Sequence, residues 1–511
     1  MNKLQTNQNE IFKICKVISI LMIVSLWIFK IINSNQIEPY VDEIFHIPQT
    51  IKYCEFKFKE WDNKITTLPG LYILALIYSN VLSMFGIGDK VWISHCSVGV
   101  LRSFNLFCLI ITFISIYEIL KISTYNVLST MNKKNNQKTI IENQTSINYT
   151  IILRTIHLSI FPIFYFFHFL FYTDVVSTLS IFLTLLFSLK NRFNLSSIFG
   201  LISVTIRQTN IIWVFFITIN NILKLYEDDK EKQKKTQELN LFKEIIDFIK
   251  FIFKNLLEII RKFIGFILVG LLFLIFLYKN GSIVVGDKSN HESSFHVPQL
   301  FYFSLVTMIF SLPSILMSSL LKRFDGNQDR NHHQYYFDPI EFLKNINIKY
   351  LVVVMIGMIL MIWKFTYTHL FLLSDNRHYT FYIWNRFMEK YSIGRYLPIP
   401  LYCYSIWFIW NVLSENRSKL WCIFYFLSTS IVLLPSPLVE PRYYIVPFFL
   451  FQLNQFHHYN NNFLKIENLK RINLLIYLDI LYFIFINFIT IFIFIKFPFI
   501  YPDGTIGRFF Y

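Results

Sequence analysis

The sequence lacks the short motifs of the common soluble enzymes. It contains no P-loop, GxGxxG, GxSxG or HExxH pattern, so nucleotide hydrolysis and the common hydrolase chemistries have no support. Cysteine is scarce, and the six cysteines form no CxxC pair and lie mostly in apolar runs. We therefore expect neither a zinc site nor a disulfide framework. The cysteines are Cys15, Cys54, Cys96, Cys108, Cys403 and Cys422.

Long apolar runs dominate what is present. The chain has 511 residues, 54% of them hydrophobic, with 57 phenylalanines and a mean hydropathy of +0.45. This composition predicts an all-α polytopic membrane protein rather than a soluble multidomain chain. The first run, Ile11 to Ile32, is not followed by a small-residue cleavage site and is predicted to be an uncleaved first span.

The distribution of positive charge along the chain also indicates a membrane protein. A net charge of +16 is compatible with nucleic-acid binding. The Lys and Arg residues instead concentrate in the loops between apolar runs, which is the positive-inside signature of membrane proteins. We therefore expect contact with membrane lipid and no nucleic-acid partner.

Thirteen spans are predicted from the apolar runs. The pair at 195–206 and 211–223 is short and is interrupted by Arg207-Gln208-Thr209-Asn210, which indicates two half-spans meeting at a polar break. Such breaks are tolerated where they are buried or line a cavity. The predicted spans are 11–32, 98–119, 151–170, 174–189, 195–206, 211–223, 262–279, 299–321, 349–366, 397–413, 420–435, 441–457 and 472–497.

The apolar segment 68–86 decides the topology. If it crosses the membrane, the basic loops fall on both sides; if it lies in the interface, they share one side. The second arrangement is favoured and places the N terminus in the cytosol. It predicts one polytopic domain over 1–511, a first luminal loop with interfacial helices at 33–97, and cytosolic inserts at 120–150 and 224–261.

Two adjacent carboxylates follow the first span. Asp42, Glu43 and the imidazole of His46 are expected to lie at a membrane surface, where charges this close to hydrocarbon usually serve a purpose. Adjacent carboxylates can also divide roles, one ionised and one held back by its neighbour. The alternative is an ordinary polar loop.

The predicted luminal face collects further polar groups. Arginine suits phosphate because its planar fork binds bidentately, and a carboxylate can take the proton of an attacking hydroxyl. Aromatic rings can stack on sugars. The pattern therefore indicates group transfer from a phosphate-linked donor to a hydroxyl. The groups are Asp42, Glu43, Asp174, Asp287, Glu292, Asp375, Glu440, His46, His291, His296, His378, Arg207, Arg377, Arg442, Trp61, Tyr379, Tyr382 and Trp384.

Several of these residues also have plainer interpretations. Arg207 is equally suited to pairing with a neighbouring acid, and Asp174 to capping the next span. Asp375 to Tyr379 has the composition of a solvated loop. Glu440-Pro441-Arg442 has the pattern of a helix start. His291 and His296 are not at the spacing of helical metal ligands, and we expect no metal site.

These motifs resemble the endoplasmic-reticulum dolichyl-phosphate-glucose α-1,2-glucosyltransferases, which add the terminal glucose to the lipid-linked oligosaccharide. The matching segments occur in order from the first predicted loop to beyond residue 440. They are 39–46, Trp61-Asp62 with 65–72, 207–213, 286–288 with His291, 296–299, 375–382 and 440–444.

The resemblance implies a fold and a chemistry. It implies a GT-C type glycosyltransferase with its active site in the lumen. A β-linked donor sugar and an α-1,2 product require one inverting displacement. Asp42 is then the general base, with Glu43 orienting it or exchanging roles with it, and the phosphate leaving group needs no nucleotide cofactor and no obligatory metal.

The resemblance also assigns expected binding roles. The partners are a dolichyl-phosphate-glucose donor and the dolichol-linked Glc2Man9GlcNAc2 acceptor. The residues expected to bind the donor phosphate are Arg207, Arg377, Arg442 and Lys288. Those expected to bind substrate are His46, Trp61, Asp174, Gln208, Asn210, His291, His296, Asp375, His378, Tyr379, Tyr382 and Glu440.

Two other functions are compatible with parts of the pattern. Broken spans and buried charges also occur in transporters, so a non-enzymatic transporter or channel-associated subunit is the alternative. The polar groups gather at one face rather than near the bilayer centre, which disfavours it. A mannosyltransferase or an earlier glucosyltransferase of the same pathway, with the same fold, is the third hypothesis, because the residues alone do not select the sugar.

Overall fold

The structure is a computed structural model, and helices make up most of it. It describes residues 2–86, 96–132, 138–233, 241–288, 293–317, 339–455 and 466–511. Helices follow from the apolar runs, because a helix satisfies its backbone hydrogen bonds within one segment, as hydrocarbon surroundings require.

The first eleven helices precede residue 281. They are α1 (Asn2–Asn35), α2 (Glu43–Cys54), α3 (Gly70–Met84), α4 (Val98–Asn132), α5 (Lys138–Ser159), α6 (Pro162–Phe166), α7 (Thr173–Leu189), α8 (Phe193–Ile206), α9 (Asn210–Lys232), α10 (Leu241–Lys254) and α11 (Leu256–Asn280).

The remaining elements include one small hairpin. They are α12 (Pro298–Ile309), α13 (Pro339–Asn345), α14 (Ile348–Phe365), α15 (Leu370–Ser374), α16 (Tyr379–Ile383), α17 (Ile399–Asn416), α18 (Lys419–Leu433), α19 (Ile445–Gln455), α20 (Ile466–Lys496), β1 (Phe499–Ile500) and β2 (Ile506–Gly507).

The prediction of an all-α polytopic membrane protein is confirmed. Among the described residues, five helices are long and apolar enough to cross a membrane, or six if the bent pair at 144–169 forms one span. Each of the thirteen predicted spans overlaps a helix. The total of thirteen crossings and the GT-C assignment remain predictions.

The predicted break between two half-spans coincides with a gap between helices. The helix α8 ends at Ile206, Arg207 takes an extended conformation, and α9 begins at Asn210. A polar turn therefore separates the two helices at the expected residues. Whether they cross a bilayer together remains a prediction.

Helices occur in the predicted luminal loop 33–97, where interfacial helices are expected, and in the predicted cytosolic insert 120–150. The segment 33–97 contains α2 and α3, and their place relative to a bilayer remains a prediction. The insert 120–150 is largely helical, because α4 continues to Asn132 and α5 begins at Lys138. A helix can extend beyond an apolar zone, since its backbone bonds stay internal in water as well.

The backbone divides into two compact units, whereas the sequence predicts one domain. The first unit comprises Met1–Ile122 with Phe164–Glu292, and the second comprises Ser123–Ile163 with Ser293–Tyr511. In the first unit α7 packs on α8 and α9, and α2 packs on α3. In the second unit α5 packs on α20, and α12 packs on α17.

The sequence indicates no disulfide framework, but the structure contains a disulfide that was not predicted. Cys54, the last residue of α2, is bonded to Cys96, two residues before α4. The bond joins positions 42 residues apart. Their spacing gave no pattern, because a single disulfide across a folded loop leaves no signature in sequence.

Candidate active site

Glu43 lies at the first turn of α2 with its side chain fully buried. Its carboxylate pairs bidentately with Arg102 of α4: Nε donates to Oε1 at 2.9 Å and Nη2 to Oε2 at 2.6 Å. The backbone N–H groups of Tyr40 and Phe171 donate to the same two oxygens, at 2.9 and 2.6 Å. Four donors therefore occupy a carboxylate with about four acceptor sites.

Arg102 is the main residue that the sequence analysis missed. Its side chain is as fully buried as that of Glu43, and its guanidinium also donates to the backbone oxygens of Gln36 and Glu38. The available signal was an arginine inside the predicted span 98–119, because an ionisable residue in a span requires a partner.

Asp42 occupies a different environment from its neighbour. It is half-buried at the N-cap position of α2, where the positive end of the helix favours a carboxylate. Its backbone N–H donates to the Tyr172 hydroxyl at 3.3 Å. The preceding residue, Val41, has a φ of 54°, an outlier for a β-branched side chain that is typical of functional turns.

His46 lies one helical turn after Asp42 and joins an aromatic group. Its Nδ1 is 2.8 Å from the hydroxyl of Tyr72, on α3. The ring of Trp61 packs edge-on against Tyr72 with centroids 5.8 Å apart. Burial raises the pKa of the Tyr72 hydroxyl, so Tyr72 stays neutral and can donate to the imidazole. His46 and Trp61 therefore both contact Tyr72.

Gln49 holds the segment that carries Trp61. We call a buried glutamine whose amide bonds to a neighbouring loop in this way a clamp. Its amide nitrogen donates to the Glu60 carbonyl at 2.7 Å, and its amide oxygen accepts from the Asp62 N–H at 2.9 Å. Because both bonds go to backbone, they fix the path of the chain on either side of Trp61.

Asp174 and Arg207 form an ion pair with an Nη1 to Oδ1 distance of 2.9 Å. The carboxylate is fully buried, whereas 21% of the arginine side chain is exposed. The interpretation that Arg207 pairs with an acid is therefore what the structure shows. The capping interpretation of Asp174 is wrong, because Tyr172 is the N-cap residue of α7 and Asp174 lies within the first turn.

The residues after Arg207 hold the break between α8 and α9. Gln208 donates to the Thr66 carbonyl at 3.0 Å. Asn210 donates to the Ser177 hydroxyl at 2.7 Å and to the Ser203 carbonyl at 3.0 Å. Both side chains thus make bonds within the protein, and their expected contact with substrate remains a prediction.

The Gly286-Asp287-Lys288 segment returns to the same region of the first unit. Val285 donates to the Thr66 carbonyl at 3.1 Å, and a Cβ at Gly286 would lie 2.2 Å from the Asn63 carbonyl oxygen. Only glycine permits this approach. Lys288 donates to the Asn280 carbonyl at 2.7 Å. His291 lies outside the described residues.

In the second unit, Gln299 repeats the arrangement of Gln49. Its amide nitrogen donates to the Leu438 carbonyl at 2.5 Å, and its amide oxygen accepts from the Tyr444 hydroxyl at 2.7 Å. His296 is fully buried, and neither of its ring nitrogens has a hydrogen-bond partner among the described residues. Burial lowers its pKa to about 4.

Gln299 holds the loop that leads into Glu440 and Arg442. Arg442 donates to Oε2 of Glu440 through Nε at 2.9 Å and Nη2 at 2.6 Å. A 3₁₀ turn begins at Pro441, so the motif is also the helix start that its plainer interpretation predicts.

Another arginine–carboxylate pair of the second unit lies between α15 and α16. Nε and Nη2 of Arg377 each donate to Asp375 at 2.7 Å, and Nε2 of His378 lies 3.7 Å from the same carboxylate. Burial alone would raise the pKa of Asp375, but the hydrogen bond and charge of Arg377 and the charge of His378 outweigh it and lower that pKa. The Asp375–Tyr379 segment therefore contains an ion pair, whereas its plainer interpretation was a solvated loop.

Tyr379 and Tyr382 follow on α16. Burial raises the pKa of Tyr379 to about 12. Among the described residues, no group of three His, Cys, Asp or Glu side chains is placed to hold a metal ion.

Comparison with known proteins places the chain in a family. The model of the DIE2/ALG10 family matches residues 36–453. No solved structure matches the chain.

Curated relatives share most of their length with this chain. A human protein is 34% identical over 504 residues, covering 95% of this chain and 96% of the relative. An Arabidopsis thaliana protein is 32% identical (86% and 90% covered), and a Candida albicans protein is 33% identical (89% and 93%). Each is named Dol-P-Glc:Glc(2)Man(9)GlcNAc(2)-PP-Dol alpha-1,2-glucosyltransferase. The chain therefore belongs to the DIE2/ALG10 family and is a glycosyltransferase.

Proposed function

We propose that this protein transfers glucose from dolichyl-phosphate-glucose to the 2-hydroxyl of the terminal glucose of Glc2Man9GlcNAc2-PP-dolichol. The relatives named above support the donor, the acceptor and the α-1,2 linkage. The observation that carries the proposal for this chain is the division between two adjacent carboxylates, with Glu43 enclosed by four donors and Asp42 half-exposed.

The transfer is a single displacement at the anomeric carbon. The acceptor oxygen forms a bond to C1 of the donor glucose as the bond from C1 to the phosphate oxygen breaks. The phosphate keeps the electron pair, and the hydroxyl proton passes to the carboxylate of Asp42. Glu43 positions this base by fixing the turn between Tyr40 and the start of α2.

Arginine side chains stabilise the charge that develops on the leaving phosphate. In the first unit, Arg207 is the exposed end of a pair whose carboxylate is buried, so its guanidinium is oriented before the donor arrives. Arg377 and Arg442 are each held by a neighbouring carboxylate in the second unit. Their contact with phosphate, like that of Lys288, is part of the proposal.

We place the reaction at the luminal face of the endoplasmic reticulum membrane. The disulfide between Cys54 and Cys96 supports this location for the segment 33–97, because disulfides persist in oxidising compartments such as that lumen. The N terminus is then cytosolic, and the lipid phosphate keeps the donor in the bilayer.

The experiment that tests the proposal measures glucosyl transfer by the purified chain with both lipid-linked substrates. Asp42→Asn is expected to lower kcat by about 10²- to 10⁴-fold, the usual contribution of a general base, while the thermal midpoint stays near that of the wild type. Glu38→Gln is the control, because this nearby carboxylate is exposed; it is expected to keep full activity.

Glu43→Gln gives a contrasting result. It leaves the buried charge of Arg102 uncompensated, which typically costs about 3–5 kcal/mol, so the yield of folded protein is expected to fall. A stable Glu43→Gln variant without activity, beside an active Asp42→Asn, would reverse the two assignments. A folded wild type that transfers no glucose would refute the function.

Donor competition tests the sugar. Dolichyl-phosphate-glucose is expected to compete with the labelled donor, whereas dolichyl-phosphate-mannose is expected not to. Equal inhibition by both would contradict the proposed donor.

A further inference from the structure

The segment 499–511 folds back onto the Asp375–Tyr379 motif, and we call it the strap. Its strands β1 and β2 pair antiparallel. The turn between them is closed by the Tyr501 N–H, which donates to the Thr505 carbonyl at 2.9 Å. Gly504 has a φ of +82°, the left-handed conformation that glycine adopts most readily. The strap is therefore a defined hairpin with an extension from 508 to 511.

Two contacts anchor this extension to the end of α20. Nη1 of Arg508 donates to the carbonyl of Phe494 at 2.8 Å, one of the last four residues of the helix, whose carbonyls have no partner within it. A cation near a helix C terminus is also electrostatically favourable. The Tyr511 hydroxyl lies 2.8 Å from that of Thr490. The helix thus fixes the position of the strap.

The anchored strap forms backbone bonds to both sides of His378. The Phe510 N–H donates to the Arg377 carbonyl at 3.0 Å, and the Phe510 carbonyl accepts from the Tyr379 N–H at 3.2 Å. Together they form a parallel bridge between His378 and Phe510, whose rings lie 4.4 Å apart.

Two further bonds reach motif side chains. The Tyr501 hydroxyl donates to Oδ1 of Asn376 at 2.6 Å. Nδ1 of His378 lies 2.8 Å from the backbone oxygen of Tyr511. Every residue from Asn376 to Tyr379 therefore bonds to the strap.

The bonds on both sides of Arg377 determine where its guanidinium can lie. Its own carbonyl and the side chain of Asn376 are held by the strap, and its guanidinium is held by Asp375. About 27% of the arginine side chain remains exposed. A side chain fixed on an ordered backbone binds a ligand without the entropic cost of ordering it at that moment.

We propose that the strap positions Arg377 and His378 for the donor phosphate, with Tyr501 and Phe510 as the positioning residues. This inference rests on the phosphate-binding role proposed above for Arg377. Neither positioning residue takes part in the displacement itself. Loss of a strap contact then weakens donor binding without changing the chemical step.

The test compares Tyr501→Phe with the wild type and with Tyr391→Phe, the same chemical change at an exposed tyrosine. Transfer assays give kcat and both KM values, and binding of dolichyl phosphate is measured separately. Loss of one hydrogen bond predicts about a fivefold rise in the donor KM and in the Kd for dolichyl phosphate. The acceptor KM and kcat are expected to stay within about twofold of their wild-type values. The thermal midpoint is expected to stay unchanged.

A second pair of variants tests the ring contact between Phe510 and His378. Phe510→Ala is expected to raise the same two constants by about tenfold or more, because it removes the ring on His378. Phe510→Tyr is expected to restore most of the affinity. If Phe510→Ala does not fold, Tyr501→Phe decides.

The outcomes separate the strap from the proposed function. Unchanged donor KM and Kd in Tyr501→Phe, with an active wild type, would overturn the strap while leaving the function intact. A uniform fall in activity with a lower thermal midpoint would also overturn it, by showing a merely structural role. If the wild type transfers nothing, the function fails, and the Kd for dolichyl phosphate still decides whether the strap positions a phosphate site.

Discussion

Each compact unit carries the pattern His-x-Pro-Gln once, and the two copies can be compared residue by residue. The first is His46 to Gln49 within α2, and the second is His296 to Gln299 at the start of α12. In both, a buried glutamine bonds to a loop outside its own helix: 60–62 for Gln49, and 436–438 for Gln299.

The two histidines behave differently. His46 is half-buried and bonded to the Tyr72 hydroxyl, whereas His296 is fully buried with no ring-nitrogen partner among the described residues. The shared His-x-Pro-Gln pattern therefore specifies the bonds of the glutamine but not the burial and hydrogen bonding of the histidine. Both glutamines donate to backbone carbonyls, which every sequence supplies, although Gln299 also accepts from the Tyr444 hydroxyl. The histidine depends on which side chains surround it.

The largest expected effect comes from replacing the glutamine of each clamp, Gln299 or Gln49, with leucine. Gln299→Leu removes the acceptor of the buried Tyr444 hydroxyl and leaves the Leu438 carbonyl with the longer 3.3 Å bond from the Ser436 hydroxyl, and we expect a loss of about 3 kcal/mol. Gln49→Leu is expected to cost about 2 kcal/mol, since Glu60 is exposed and water can replace the lost bonds. Thermal unfolding in detergent measures both, with Gln233→Leu, at an exposed position, as a control. The reverse ranking would contradict the comparison.

The next effect concerns pH and the buried histidine. Burial lowers the pKa of His296 to about 4 from an ordinary value of 6.5. The unfolded chain therefore binds this proton more readily, so stability falls as the pH drops from about 6.5 towards 4. At pH 5 the loss is about 2 kcal/mol. His296→Phe is expected to flatten the dependence of the thermal midpoint on pH; an equally steep profile would show that His296 is not its source.

The smallest effect is the coupling between each histidine and a nearby tyrosine. A double-mutant cycle with His46→Leu and Tyr72→Phe is expected to give a coupling of about 1 kcal/mol, the net value of one hydrogen bond. The matched cycle with His296→Leu and Tyr302→Phe is expected to give none, because their rings contact edge to face without a hydrogen bond to the hydroxyl. Equal coupling energies in the two cycles would contradict the difference between His46 and His296.

Helix positions could be predicted from the sequence because hydrophobicity is local. The break at Arg207 was predictable for the same reason, as four polar residues interrupt two apolar runs. The partner of Glu43 was not, since Arg102 lies 59 residues away and no local pattern joins them. The disulfide between Cys54 and Cys96 was not predicted for the same reason, because the two residues are 42 positions apart and no local pattern joins them.

The sequence presented Asp42 and Glu43 as near equals because they are adjacent. In the structure they stand at the start of α2, where successive side chains point about 100° apart around the helix axis. One carboxylate can therefore enter the core while the next faces outward. Which of them does so depends on Arg102 and the Phe171 N–H, neither of which adjacency reveals.

The bond from the Phe171 N–H to Glu43 has a consequence for biosynthesis. The two residues are 128 positions apart, so a ribosome moving at about 5–20 residues per second needs roughly 6–26 seconds to supply the last donor. Arg102 emerges after less than half of that interval. The nascent chain thus holds the acid and its counterion before their enclosure exists, and the turn at Asp42 acquires its final form only after Phe171, two residues before α7, has been synthesised.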